Sequence, residues 1–204
     1  MSHAGFDFVG MLPNMQYSPC MVALRKQNMS VAEFLAWSDG LDERWELFDG
    51  VPVAMAPEWL LHGRAKLRVA RCLEDAIGRG DLPCEAVLDS VGVAIDPLNS
   101  YQPDALVYCG DPASPDTRLI ENPVVVVEVL SPSNALKDLR DKLQGYFRVA
   151  SIRHYLIVDP DKRIVIHHAR GDDHRITTCI VNDGSIALDP PGLVLASADV
   201  FRAG

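Results

Sequence analysis

Val124-Val125-Val126-Val127-Glu128-Val129-Leu130-Ser131-Pro132-Ser133 is an apolar run with one carboxylate inside it. It is short, β-branched and bounded by Pro123 and a Ser-Pro step, which predicts a strand buried on both faces. Glu128 then stands where charge is expensive. A buried carboxylate either raises its pKa or acquires a cation. The residues leave two readings open: a core ion pair with an arginine, or a metal ligand.

Working outward from this strand, Gln102 to Tyr108 predicts a short strand opened by Pro103, with Asp104 its first free residue on the face of Leu106 and Tyr108. Before it, Glu85 to Ile95 alternates as one strand, with Val87, Val91, Val93 and Ile95 on one side, and residues 96–100 read as a turn. After the central strand, Leu136 to Val149 predicts a helix with Leu139, Leu143, Tyr146 and Phe147 in one stripe. Lys142 borders that stripe, so its stem can lie on the core while its ammonium reaches the sheet. Apolar runs at 153–158, 163–168, 175–181 and 185–188 predict further strands.

Further upstream, Arg44 to Met55 carries Asp49-Gly50 between two apolar-rich arms, a hairpin signal that puts Glu46 on the face of Phe48. Ser30 with Glu33 forms a capping box for a short helix. Leu60 to Gly78 predicts a second helix. Its inward stripe holds His62, Ala65, Val69, Cys72, Leu73 and Ala76, and Arg64, Arg68 and Arg71 lie opposite. Residues 1–28 show no periodicity and read as a loosely ordered extension, with residues 29–204 as one domain.

The five cysteines are scattered, without a CxxC pair, which predicts reduced thiols and a cytoplasmic setting. No apolar run approaches the roughly 18 residues of a membrane helix. The formal charge of -9 argues against a general nucleic-acid binder and leaves room for a local basic groove.

Two carboxylates near neighbouring strand ends, Asp104 and Glu128, suit a hard divalent cation, with Glu46 as a third oxygen donor and a lysine beside them. Metal-activated water attacking a phosphodiester is the chemistry these parts serve. The ordered motifs Trp-Glu-Leu-Phe-Asp-Gly, a following His, Gln-Pro-Asp, Val-Val-Glu-Val-Leu-Ser-Pro-Ser, Asp-Lys-Leu-Gln-Gly-Tyr and His-Tyr-Leu-Ile-Val-Asp-Pro resemble the bacterial family called "putative restriction endonuclease", within the PD-(D/E)XK nuclease superfamily. The resemblance spans roughly residues 29–200.

The resemblance implies an α/β, restriction-endonuclease-like core with a mixed central sheet flanked by helices. It implies a Mg²⁺- or Mn²⁺-dependent endonuclease acting on DNA, often as a homodimer. Pro103-Asp104 and Glu128 match the acidic motif, Glu46 an early acidic residue, and Gln102, His62 and Tyr146 site-lining positions. The usual strand lysine is replaced by Leu130, which points to Lys142 on the next helix. Val51 stands where the family often has Glu after the Asp-Gly. Two rival readings are a non-catalytic binding module retaining the fold, and a metal-dependent hydrolase of smaller phosphate esters.

Overall fold

A computed structural model describes residues 28–131 and 136–202, with side chains of the helix after the central strand described from Leu139 onward. The expected N-terminal extension lies outside these residues except for Asn28, as does the Pro132-Ser133 turn.

Helix α1 (Val31–Trp37) starts at the capping box, with the Glu33 amide donating to Ser30 Oγ and the Ser30 amide donating to Glu33 Oε2. Strands β1 (Trp45–Phe48) and β2 (Val51–Ala54) form the hairpin. Asp49 and Gly50 turn it with φ of 48° and 73°, the positive values that a two-residue I′ turn needs. Helix α2 (Leu60–Gly80) runs through Gly78 and stops at left-handed Asp81. Tertiary packing of its apolar face outweighs the local cost of the glycine.

The next strands are β3 (Cys84–Leu88), β4 (Val93–Asp96), β5 (Asn99–Tyr101), β6 (Ala105–Cys109) and β7 (Pro123–Val129). Helix α3 (Leu136–Tyr146) follows, ending before the expected Val149 in a turn. Strands β8 (His154–Asp159), β9 (Ile164–Arg170), β10 (Ile176–Val181), β11 (Ser185–Leu188) and β12 (Leu193–Ala196) come next, then the short helix α4 (Ser197–Val200).

The apolar run is indeed central. The main sheet has the order β10-β9-β8-β7-β6-β3, with β7 and β8 parallel across the α3 crossover and the other pairs antiparallel. One face gathers Val125, Val127, Val129, Leu156 and Val158 under α2 and the β11–β12 hairpin. The other gathers Val126, Tyr155 and Ile157 with Tyr146 of α3 and with Val93, Ile95 and Tyr101 of a smaller sheet, β2-β1-β5-β4. A Cβ on Gly145 would collide with the Tyr101 ring, so this glycine lets α3 settle against β5.

Four expectations change. The alternation from Glu85 to Ile95 is two strands, because the chain leaves the main sheet after Leu88 and joins the smaller one at Val93. Asn99 and Ser100, expected in a turn, belong to β5, and Asp104 precedes β6 rather than opening it. The thiols are not all reduced: Cys84 and Cys109 face each other in the β3–β6 register and are joined as a disulfide, with Cys72 and Cys179 free. Cysteine count and spacing do not report that pairing, so the cytoplasmic reading loses its main support. No helix among the described residues is long and apolar enough to cross a membrane.

On β8 and β9, His154 Nε2 lies 3.0 Å from the Pro190 carbonyl and must donate to it. His154 Nδ1 then accepts from His167 Nε2 at 2.9 Å. Burial, followed by the neighbouring His154 and His168, pushes His167 down to about 4. A folded pKa below the unfolded one, near 6.5, means that protons favour the unfolded chain. This contribution to stability is intact above pH 6.5 and declines as pH falls toward 4. Urea titrations of wild type and His167→Gln across that window should show a shallower decline in the variant.

Candidate active site

Glu128 projects from β7 between two fully buried valines, into a pocket closed by α3. Its Oε1 accepts from Lys142 Nζ at 3.0 Å and from the Tyr146 hydroxyl at 2.6 Å. Lys142 also lies 2.9 Å from Glu46 Oε1, which accepts the Gln102 amide at 2.8 Å. All four charged or phenolic side chains are buried. The helix periodicity explains the meeting: Lys142 and Tyr146 are four residues apart and share a face of α3. Burial pushes Glu128 up to about 8 despite the Lys142 ammonium, and the negative Asp104 and Glu46 push the same way.

Asp104 is fastened to β7 on both sides of Glu128. Its amide donates to the Val127 carbonyl at 2.9 Å, and its Oδ2 accepts the Val129 amide at 2.7 Å. His62 Nε2 lies 2.8 Å from the Val129 carbonyl and 3.3 Å from Asp104 Oδ2. A carbonyl only accepts, so Nε2 carries hydrogen. Burial raises the Asp104 carboxyl, yet His62, the Val129 amide and Lys66 together hold it below its usual value. Burial disfavours a charged His62, and Asp104 and Glu58 outweigh this to raise it.

A second group was not foreseen from the sequence. Lys66 is 4% exposed and donates to Glu58 Oε1 at 2.6 Å and, in a very short bond, to Asp89 Oδ2; Asp104 Oδ1 is 3.6 Å away. Arg44 braces the same pair, reaching Glu58 Oε1 at 3.1 Å and Asp89 Oδ2 at 3.0 Å. Gln102 Nε2 donates to the Asp89 carbonyl at 2.5 Å. The signal for Lys66 was its spacing. It lies four residues after His62 and three before Val69, on the inward stripe, but lysine is ordinarily expected in solvent.

Glu46, Glu58, His62, Asp104, Glu128 and Lys142 line a single cleft of ≈ 370 Å³. Gln102 and Tyr146 stand behind it as hydrogen-bond partners. Every residue singled out from the sequence is therefore in or beside one site. Among the described residues, the one group whose ligand atoms all lie within 4.8 Å of one another is Glu58, His62 and Asp104, which shares only Asp104 with the expected metal set of Glu46, Asp104 and Glu128. The donors are mainly carboxylate oxygens, the chemistry that fits Mg²⁺ or Mn²⁺.

A solved structure described as "a putative nuclease belonging to DUF820" from Anabaena variabilis is similar over 85% of this chain and 97% of that one, with a TM-score of 0.68 and 16% identity. At that identity the likeness is one of fold: the mixed sheet with its helices is shared with that structure. Two proteins of Synechocystis sp., the uncharacterized slr1290 and sll1609, are each 27% identical over 176 and 158 residues. These alignments cover 85% and 76% of this chain and 92% and 88% of the relatives. Residues 31–200 match the model of the Uma2 family, described as "Putative restriction endonuclease". The chain belongs to the Uma2 family.

Proposed function

We propose that this protein is a divalent-metal-dependent endonuclease that hydrolyses DNA phosphodiester bonds. The observation that carries the reading is the convergence of three buried carboxylates and a buried lysine on one cleft in a chain of this family. Asp104 and Glu128 would hold Mg²⁺ or Mn²⁺, with Glu46 as the third oxygen donor. The bound ion supplies a water ligand of lowered pKa and charge to offset that of the scissile phosphate.

The protein's own groups do the rest. Lys142 places an ammonium at the Glu46–Glu128 edge of the cleft, where negative charge grows on a phosphate in transit. Tyr146 and Gln102 fix the two glutamates by donating to them, so the carboxylates do not reorganise when substrate arrives. His62 orients Asp104 through the shared Val129 peptide.

Affinity for DNA would draw on a local basic face, since the whole chain is acidic. Arg68, Arg71, Arg79 and Arg202, outnumbering Asp75 and Asp199, line a cavity of ≈ 340 Å³ between α2 and the C-terminal segment. A homodimer would gather two such faces. One observation favours a second reading, a hydrolase of smaller phosphate esters: the cleft itself has the size of a nucleotide-sized ligand rather than a duplex.

The test is cleavage of supercoiled plasmid by the purified chain with Mg²⁺, with Mn²⁺ and with excess EDTA, alongside bis(p-nitrophenyl) phosphate. Metal-dependent nicking that EDTA abolishes supports the endonuclease. Turnover of the small ester with intact plasmid supports the second reading. Inactivity on both substrates, together with no uptake of metal, sinks the enzymatic assignment in favour of a non-catalytic module.

A further inference from the structure

The main sheet ends on one side at β10, and among the described residues no strand pairs with its outer edge. The six residues Ile176-Thr177-Thr178-Cys179-Ile180-Val181 carry no charge and no proline, and all but Val181 are exposed. Charges and prolines are among the devices that keep an edge strand from pairing with another chain. The opposite edge, β3, follows Pro83 and carries Glu85.

Which groups face outward follows from the ladder. The Gly171 amide donates to the Arg175 carbonyl, and Ile176 lies opposite Arg170. Hydrogen-bonded pairs alternate along an antiparallel ladder, so Thr177, Cys179 and Val181 bond to β9. The N–H and C=O groups of Ile176, Thr178 and Ile180 therefore point away from the sheet. Ile180 also ends a cross-strand row that starts at Glu128: Glu128 is level with Ile157, Ile157 with Ile166, and Ile166 with Ile180. Exposure rises along it from 5% at Ile157 to 68% at Ile180. The apolar layer on the α3 side of the sheet thus runs to the edge without a polar stop.

Ile176, Thr178 and Ile180 read the same in either direction. Two antiparallel copies related by a two-fold axis at Thr178 would set Ile176 of each opposite Ile180 of the other. Every outward N–H and C=O of the three residues would then find a partner, and each isoleucine would cover another. An axis at Thr177 or Cys179 shortens the ladder and pairs isoleucine with threonine. The like-charged Asp173 and Asp183 come level only past the ladder, in the turns, and Asp173 is already paired with Arg175.

We propose that β10 is a homodimer interface, where two copies pair edge to edge about Thr178 and join their main sheets. The contact is small, so the dimer is concentration-dependent rather than obligate.

The test is sedimentation of the full chain across the micromolar range. Wild type should pass from monomer to dimer. Ile180→Lys, checked for folding by circular dichroism, should raise the dimer dissociation constant by on the order of tenfold or more. Cross-linking reads the register. Thr177 falls opposite the second copy's Cys179 in a non-hydrogen-bonded pair, with Cα atoms about 4.5 Å apart, within reach of a disulfide. Thr177→Cys should therefore give a covalent dimer on oxidation with diamide, and the same change combined with Cys179→Ser should not. Wild type should stay uncross-linked, because its two Cys179 residues would be diagonal neighbours about 7–8 Å apart. A wild type that stays monomeric overturns the proposal, as does a dimer that Ile180→Lys leaves intact. A Cys179–Cys179 cross-link in wild type, or none in Thr177→Cys, overturns the pairing about Thr178. Should Ile180→Lys fail to fold, Thr178→Pro decides, since it removes an N–H that β9 does not use: a monomer supports the interface, and an unchanged dimer overturns it.

Discussion

Asp104→Asn should lower metal-dependent DNA cleavage by on the order of 10³-fold or more, equivalent to about 4 kcal/mol in the barrier. The amide keeps the shape of the side chain and one oxygen, so the Val129 amide retains its acceptor. What disappears is a negative charge held beside Glu128. Mn²⁺ binding measured by calorimetry should vanish with the activity, and the circular dichroism spectrum should match wild type. Undiminished cleavage by a folded Asp104→Asn protein would remove Asp104 from the metal site. Loss of cleavage with Mn²⁺ affinity unchanged would move Asp104 to another role in the reaction.

Lys142→Met should lose on the order of 10²–10³-fold in single-turnover cleavage at saturating Mn²⁺ while still binding the ion. That split separates it from Asp104→Asn. The substitution also takes the shared counter-cation from Glu46 and Glu128, both buried. Removing one member of a buried ion pair typically costs about 3–5 kcal/mol. Protonation of Glu128, already pushed up by burial, offsets part of this. The melting temperature should therefore fall in the metal-free protein, by ~2–4 °C per kcal/mol at this chain length, and recover partly when Mn²⁺ is added. Full activity in Lys142→Met would leave the chain without a lysine for the proposed chemistry at that edge of the cleft.

The valine strand, the Asp-Gly hairpin and the two amphipathic helices were legible because each is a local pattern: a β-branched run, a turn dipeptide, a 3.6-residue stripe. Glu46, Asp104, Glu128 and Lys142 were legible as a set because their motifs stand in a recognisable order. Lys66, Glu58 and Asp89 were not. Each is a charged residue whose ordinary place is the surface, and only the folded arrangement turns them toward one another. The break between β3 and β4 was hidden for a different reason. Alternation persists through Asp89 to Gly92 although the chain is changing sheets, with Gly92 passing close to Leu119 as the two segments bridge. The Cys84–Cys109 bond depends on the register of two strands that the spacing of cysteines does not encode.

Asp104 is tied by its amide to Val127 and by its carboxylate to Val129, the two residues that flank Glu128. Its side chain thus prolongs the hydrogen-bond ladder between β6 and β7, and the spacing of the two acids is set by the repeat of a single strand. The acids behave as one prefabricated part. The lysine is a separate part, delivered by α3, and nothing in the acid pair dictates the direction from which it arrives. On the proposed reading, this modularity lets Leu130 stand where the family resemblance implies a lysine. It also offers an engineering route: a Leu130→Lys change in the Lys142→Met background would ask whether the same pair accepts its ammonium from the strand instead.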